Sequence, residues 1–324
     1  GSEMCIRDSL TNSGIPTQGI AFYHQSTLDL LQGLSCSVGL RYDYEHARCD
    51  FSKVQQPLNG NGETKSLEQF NRSLHFGQFT PRFSMQYLSS HNQLFYASVS
   101  KGYKAGGFNV SFLNNDDYLY SPEYNWNYEI GTKLSFLNNR LSADLSLFYI
   151  DWRNQQITNT IPTVGNVIRN AGRSRNKGIE ASFQARPTKS WMMYMNYGYT
   201  DARFVHYQKE ERGILKDYEG NYLPMVPRHT FSLTTGYSFY DICSWIDRLT
   251  LNAGVSVTGP IYWYEDNQAK QSPYALVNLR ISINKGCFTW EAWSKNLTNT
   301  DYLSYYFVTS KAYAQKGKPI TLGT

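Results

Sequence analysis

No apolar stretch in this 324-residue chain approaches the roughly 18 consecutive residues that a membrane-crossing helix needs, which excludes a helical membrane protein. Charge is scarce too, at 18% of residues, and the net +5 comes from basic residues scattered along the chain. Such scatter supplies no basic stripe for a phosphate backbone, which argues against nucleic-acid binding. The five cysteines (Cys5, Cys36, Cys49, Cys243 and Cys287) lack metal-ligand spacing, and the six histidines are dispersed without an HExxH or other paired arrangement. No protein-held metal centre is therefore expected. GxSxG, a Walker A loop and a Cys–His pairing are all missing, so an enzyme has no residues to stand on. The opening GSEMCIRDSLTNSG has neither a basic segment followed by an apolar core nor strand periodicity. Gly1 to about Gly14 is accordingly expected to be a non-native or unplaced leader, and 15–324 the folded part.

What the chain has in abundance is alternation. From Leu34 to Tyr44, the residues Leu34, Cys36, Val38, Leu40, Tyr42 and Tyr44 share one parity, and Ser35, Ser37, Gly39, Arg41 and Asp43 the other. The pattern returns at Tyr124–Phe136, where Tyr124, Trp126, Tyr128, Ile130, Thr132, Leu134 and Phe136 oppose Asn125, Asn127, Glu129, Gly131, Lys133 and Ser135. Successive side chains of a strand point to opposite faces, so each run has one apolar and one wet surface. Runs of 11 and 13 residues are long for a soluble sandwich but match strands crossing a bilayer at a tilt. The mean hydropathy of −0.51 is no obstacle, because half of each such strand faces water. Aromatics at 15% suit the two girdles that flank a lipid-facing band.

Counting by alternation gives strands at about Gly19–Thr27, Leu34–Glu45, Phe76–Leu88, Gln93–Lys104, Tyr124–Phe136, Leu141–Trp152, Ala171–Ala185, Trp191–Ala202, Arg228–Phe239, Leu249–Thr258, Tyr274–Asn284 and Phe288–Leu297. A partial strand follows from about Lys318. Short connections such as Leu137–Arg140 and Lys285–Cys287 alternate with long ones such as Ala47–His75, Arg153–Asn170 and Arg203–Pro227. Tight turns at one end and long loops at the other are the mark of an antiparallel up-and-down transmembrane β-barrel. About thirteen strands are expected, an odd and incomplete set for a barrel whose edges must close in lipid, so the chain reads as part of a larger barrel. Cys36 is expected to face lipid and Cys49 to sit free in a loop, while Cys243 and Cys287 lie near turns of one rim, within possible reach of a disulfide.

Five segments, in order, carry a family resemblance. SKGYKAGGFN (Ser100–Asn109), the long run Ser121–Ile157, RNAGRSRNKGIEASF (Arg169–Phe183), VPRHTFSLTTGY (Val226–Tyr237) and SKNLTNTDYL (Ser294–Leu303) resemble TonB-dependent outer-membrane receptors, most nearly those importing iron–siderophore complexes. The resemblance implies a barrel of about 22 strands filled by an N-terminal plug that contacts TonB, placed in the outer membrane of a Gram-negative bacterium. Plug and roughly the first nine strands are not in this sequence, which is therefore expected to be the C-terminal part of such a barrel. It also implies energy-coupled import of a ferric siderophore or similar scarce chelate. Partners would be the chelate, TonB through the plug, and outer-membrane lipid. No cofactor of its own is expected, since iron would arrive only within a chelate. Heme, cobalamin and glycans stay open as cargo, and a passive porin is the alternative.

Candidate ligand-binding residues lie at the loop ends. Lys101, Tyr103 and Lys104 end one strand; Arg169, Arg173, Arg175 and Lys177 form the densest basic cluster; Tyr262, Trp263, Tyr264 and Tyr305 are loop aromatics. Arginine forks and phenols suit an anionic chelate, and aromatic faces suit an aryl one. Each has a plainer reading as girdle anchor, loop former or contact to lipopolysaccharide phosphates. Arg41, Arg82, Glu129, Lys133 and Arg280 fall on the wet parity and should face the lumen, with Glu129 and Lys133 placed to pair with each other or with a plug. Leu145, Leu147, Leu251 and Val277 fall on the lipid parity.

Overall fold

The computed structural model describes residues 7–57, 64–112, 114–161, 164–170, 172–211, 214–308 and 311–324. One antiparallel sheet organises them. Its first path, β1, is two segments end to end, Arg7–Gly14 and Thr17–Leu31, both paired with the next strand and separated at Ile15–Pro16. Proline has no N–H to donate and a fixed φ, so the ladder breaks there, although the Pro16 carbonyl still accepts from the Arg48 N–H at 3.1 Å. The wall continues through β2 (Leu34–Pro57), β3 (Lys65–Leu88), β4 (Leu94–Lys104), β5 (Glu123–Phe136), β6 (Leu141–Arg153) and β7 (Arg173–Ala185). It ends with β8 (Trp191–His206), β9 (His229–Cys243), β10 (Ile246–Thr258), β11 (Tyr274–Lys285), β12 (Phe288–Lys295) and β13 (Thr321–Gly323). Each pairs with its sequence neighbour, which is the up-and-down order expected from the alternation. Among the described residues the first and last strands do not pair, so the sheet is open.

The register turns the alternation into a continuous apolar face. Ala97, Ile130, Leu147, Ile179 and Tyr199 stand opposite one another across five strands. Leu233, Val255 and Val277 continue the face over β9–β11. Leu145, Leu147 and Leu251 on this face are 45, 46 and 41% exposed. A row of half-exposed leucines and isoleucines spanning the sheet would be a costly hydration liability in water and is a good surface in lipid. The short connections obey turn chemistry. Asn138 and Asn139 take φ of 55° and 65°, and Gly33 takes 78° where a Cβ would lie 2.2 Å from the Leu88 carbonyl oxygen.

Four expectations need correction. Arg7–Gly14 is not an unplaced leader but the start of β1, paired residue for residue with Asp50–Pro57. Its polar sequence hid it, because this segment pairs with the far end of a strand that runs on well beyond the apolar face. The Ala47–His75 connection is for the same reason largely strand, a hairpin prolonged from β2 and β3. Cys49 is fully buried within it rather than loose in a loop. Cys243 and Cys287 are exposed free thiols. One ends β9 and the other sits in the β11–β12 turn, so two strand spacings of about 4.8 Å each put them beyond disulfide range. Cys36 is half-buried on the apolar parity, and Cys5 lies outside the described residues.

Candidate functional site

Above the turn-free end of the sheet the long connections fold into hairpins that interlock. Gly107–Phe108 pairs with Leu119–Tyr120 around a short 3-10 turn, Asn115–Tyr118, whose Asn114 side chain accepts from the N–H groups of Asp116 and Asp117. Gln156–Ile161 pairs with Gly165–Asn170. The buried Asn109 joins the two: its amide donates to the carbonyls of Asp117 (2.8 Å) and Ile168 (2.7 Å), and its oxygen accepts from the Ile168 N–H (2.8 Å). Beside it Arg169 grips Asp117 in a bidentate pair at 2.7 and 2.8 Å. Phe112 and Tyr118 pack on Phe51 and Phe70 of the prolonged hairpin, with the Arg72 guanidinium 5.0 Å over the Tyr118 ring.

A second set of loops is laced by asparagines. Asn267 accepts from the Tyr222 N–H at 2.7 Å and donates to the Tyr222 carbonyl at 3.0 Å, while Asn221 donates to the Glu265 carbonyl at 2.8 Å. Tyr222 stacks on Tyr262 at 5.5 Å between centroids, and the Arg203 guanidinium lies 4.0 Å over the Tyr222 ring. Phe204, Tyr207, Tyr218 and Leu223 form a buried core beneath. The next loop closes on this one. Trp263 is buried, with its ring 6.3 Å from Tyr305 and 6.5 Å from Tyr306. The Val308 N–H donates to the Tyr264 hydroxyl at 2.6 Å, and burial raises that phenol's pKa above its ordinary value.

The candidate residues thus part into three groups. Trp263, Tyr264 and Tyr305 come together at the rim, with Tyr262 beside them in the Tyr222 stack. Lys104 pairs at 4.0 Å with Glu123, and Arg169 is held by Asp117. Lys101, Arg173 and Arg175 are elsewhere. Lys101 stands opposite Trp126, with its ammonium 5.3 Å from the Tyr124 ring, and Tyr103 opposite Tyr124 with a buried, unpartnered hydroxyl. Arg173 and Arg175 share the parity of Ile179, on the apolar outer face, which corrects their placement at the mouth. The physical reason is simple: β7 continues straight past the apolar rows, so its period of two carries the same face upward. Sequence reasoning missed Asn109, Asp117, Asn221, Tyr222 and Asn267, which hold the loops together. Loop asparagines flanked by aromatics were the signal available, but their partners are remote in sequence.

Below the rim the opposite face is polar. Arg41, Arg82, Glu129, Lys133 and Arg280 all lie on it by register. Glu129 does not pair with Lys133; it accepts from the Tyr96 hydroxyl at 2.6 Å, and Lys133 stands opposite Asp144. Arg41 is tied to Asp43 at 2.6 Å. The β-barrel model of TonB-dependent receptor-like proteins matches residues 6–299. The chain belongs to the TonB-dependent receptor β-barrel family. It is 24% identical over 328 residues to the pesticin receptor of Yersinia pestis, covering 97% of this chain and 44% of that protein. It is 26% identical over 238 residues to the probable TonB-dependent siderophore receptor PiuA of Acinetobacter baumannii, covering 68% of this chain and 29% of that one. Among solved structures, the ferric yersiniabactin uptake receptor FyuA from Yersinia pestis superposes with a TM-score of 0.77 at 21% identity, over 97% of this chain and 46% of that chain. The chain therefore spans less than half the length of these relatives. Members of this receptor family sit in the Gram-negative outer membrane, which orients the molecule: long loops outward, short turns toward the periplasm.

Proposed function

We propose that this chain supplies the outer wall and capture loops of a receptor that binds a ferric siderophore outside the cell and imports it with energy delivered through TonB. The single observation that carries the reading is the family match across residues 6–299, and the interlocked aromatic rim above a polar inner wall supports it. In this reading Tyr262, Tyr264 and Tyr305 face the chelate, the buried Trp263 holds the aromatic rim in place beneath them, and Lys104 adds a cation at the mouth. Arg41, Arg82, Glu129, Lys133 and Arg280 line the way down or hold a plug. The chemistry is binding and gated passage rather than bond-making, and the protein holds no cofactor of its own. Iron is cargo, delivered inside its chelate.

The test is growth of a receptor-deficient strain carrying the whole gene on a panel of iron–siderophore sources, with and without functional TonB. Growth on at least one ferric chelate that vanishes without TonB is the expected result. Growth that persists without TonB would favour a passive pore, and TonB-dependent use only of heme, cobalamin or a glycan would replace the siderophore as cargo.

A further inference from the structure

Halfway down the inner wall a recess opens around Arg280, five residues from the periplasmic end of β11 and six from its outer end. One inner row crosses β9–β13 as Gly236, Asn252, Arg280, Trp293 and Gly323. The Asn252 side chain lies over Gly236, where a Cβ would come within 2.5 Å of its amide oxygen. The Trp293 indole lies over Gly323 in the same way. Both neighbours of Arg280 thus lean away from it, each onto a glycine. The next inner row carries Thr234, Gly254 and Asn278, with no side chain at its centre. Glycine placement therefore clears a cavity of about 610 Å³, with Lys295 at its edge.

The recess is rich in donors and holds no acid. Arg280 and Lys295 are exposed and make no ion pair or hydrogen bond among the described residues; the Lys295 ammonium lies 5.2 Å from the Trp293 ring. Asn278 gives its amide oxygen to the Asn296 N–H at 3.1 Å, which leaves its NH2 group without a partner among the described residues. No carboxylate lines the cavity. Glu291, the acid on the inner parity of β12, lies a row lower and accepts from the Ser282 hydroxyl at 2.8 Å. Across the wall the charges are matched: Arg41 holds Asp43, and Lys133 stands opposite Asp144. Two uncompensated cations beside an indole face fit an anion carried on a ring, with the guanidinium fork meeting both oxygens of a carboxylate. The volume also suits a small molecule, since such sites span about 300–1,000 Å³. We propose that this recess binds the carboxylate of a small aromatic acid between Arg280, Lys295 and Trp293. Its use as a resting place for an anionic group of cargo below the mouth rests on the import reading above; the binding itself does not.

Binding of benzoate to the whole gene product in detergent, read by isothermal titration and by saturation transfer to the ring protons, tests this. Benzoate should bind at least tenfold more tightly than benzamide, which keeps the ring and loses the charge. Arg280→Gln/Lys295→Gln should weaken benzoate at least tenfold, and Trp293→Ala at least threefold. A control of equal charge change on the prolonged hairpin, Arg48→Gln/Lys65→Gln, should stay within twofold. No binding of benzoate, equal binding of benzamide, unchanged binding in Arg280→Gln/Lys295→Gln or equal loss in the control would each overturn the proposal. Lowered urea resistance of Arg280→Gln/Lys295→Gln, together with no benzoate binding to the unsubstituted protein, would show an acidic side chain inside the barrel as the occupant instead. Should the double substitution fail to give a heat-modifiable barrel, Asn252→Asp decides: it stands opposite Arg280 and supplies a carboxylate, so benzoate should bind at least tenfold more weakly, and unchanged binding refutes the site. Benzoate binding without TonB-dependent growth on any ferric chelate would remove the import reading and keep the recess.

Discussion

A single arginine at the centre of the outer face should separate a lipid wall from every other two-faced sheet. On β6 the outward residues run Leu141, Ala143, Leu145, Leu147, Tyr149, with Asp151 beyond them. Eight residue steps at about 3.4 Å and a tilt near 40° give roughly 21 Å of height, close to the ~25 Å apolar band of an outer-membrane barrel. Leu145 is then at mid-depth. A charge there costs about 2–4 kcal/mol, falling to about 0–1 kcal/mol at the edge. At about 1.4 kcal/mol per decade, Leu145→Arg should lower the folded-to-unfolded ratio by roughly 30- to 1000-fold, and Leu141→Arg by less than about tenfold. The neighbouring Ser146 faces the lumen, between Gly131 and Glu180 in register, so Ser146→Arg places the same cation in water near a carboxylate and should change stability by less than about 0.5 kcal/mol. Urea titration of the whole gene product folded in lipid vesicles, followed by tryptophan fluorescence and by heat-modifiable gel mobility, measures all three. If Leu145→Arg proved as mild as Ser146→Arg, the reading of this face as lipid-contacting would be wrong.

Three further outcomes follow from particular contacts. Trp263→Ala leaves a void beneath Tyr305 and Tyr306 worth about 3–5 kcal/mol to the local packing, so amide exchange in 259–273 and 303–308 should accelerate by orders of magnitude. Unchanged exchange there would show that the ring does not hold the loops. Maleimide should label Cys243 and Cys287 without prior reduction and reach Cys49 only on unfolding; a requirement for reductant would contradict the free thiols. The Asp217 carboxyl accepts from the Glu219 N–H and the Gln208 amide, which holds its pKa below the ordinary carboxylate value. A depressed pKa contributes order above the ordinary range near pH 4 and loses it as pH falls through the lower folded value. Gln208–Glu211 pairs with Ile214–Asp217 as a hairpin, so protease access to it should rise only below about pH 4, and Asp217→Asn should abolish that pH step.

Most of the wall was legible because alternation is a property of each strand alone. Strand order, the side facing lipid and the beat of short and long connections all needed only the period of two and the turn residues. What escaped was whatever depended on a partner far away in sequence. Arg7–Gly14 shows no apolar parity of its own, since its neighbour Asp50–Pro57 lies beyond the lipid band, and only the pairing reveals it as strand. The loops posed the same difficulty more severely. Asn267 and Tyr222 are held by two hydrogen bonds across 45 positions, and Asn109 reaches Ile168 across 59; neither distance leaves a local trace.

The basic cluster is the instructive case, because its density along the chain points to the mouth whereas its parity points to the outer face. Arg173, Arg175 and Lys177 stand at even spacing from Ile179, Ala181 and Phe183, so the rule that sends those three to lipid sends the cations to the same side. Arg169 falls in a separate hairpin, which removes it from the group that proximity in sequence had suggested. Counting positive residues along the chain asks only how much charge is near; counting in twos asks which medium it meets. For a wall between oil and water the second question has to come first. A guanidinium on the lumen side can meet cargo, whereas the same guanidinium one residue along is turned to the outer face of the wall.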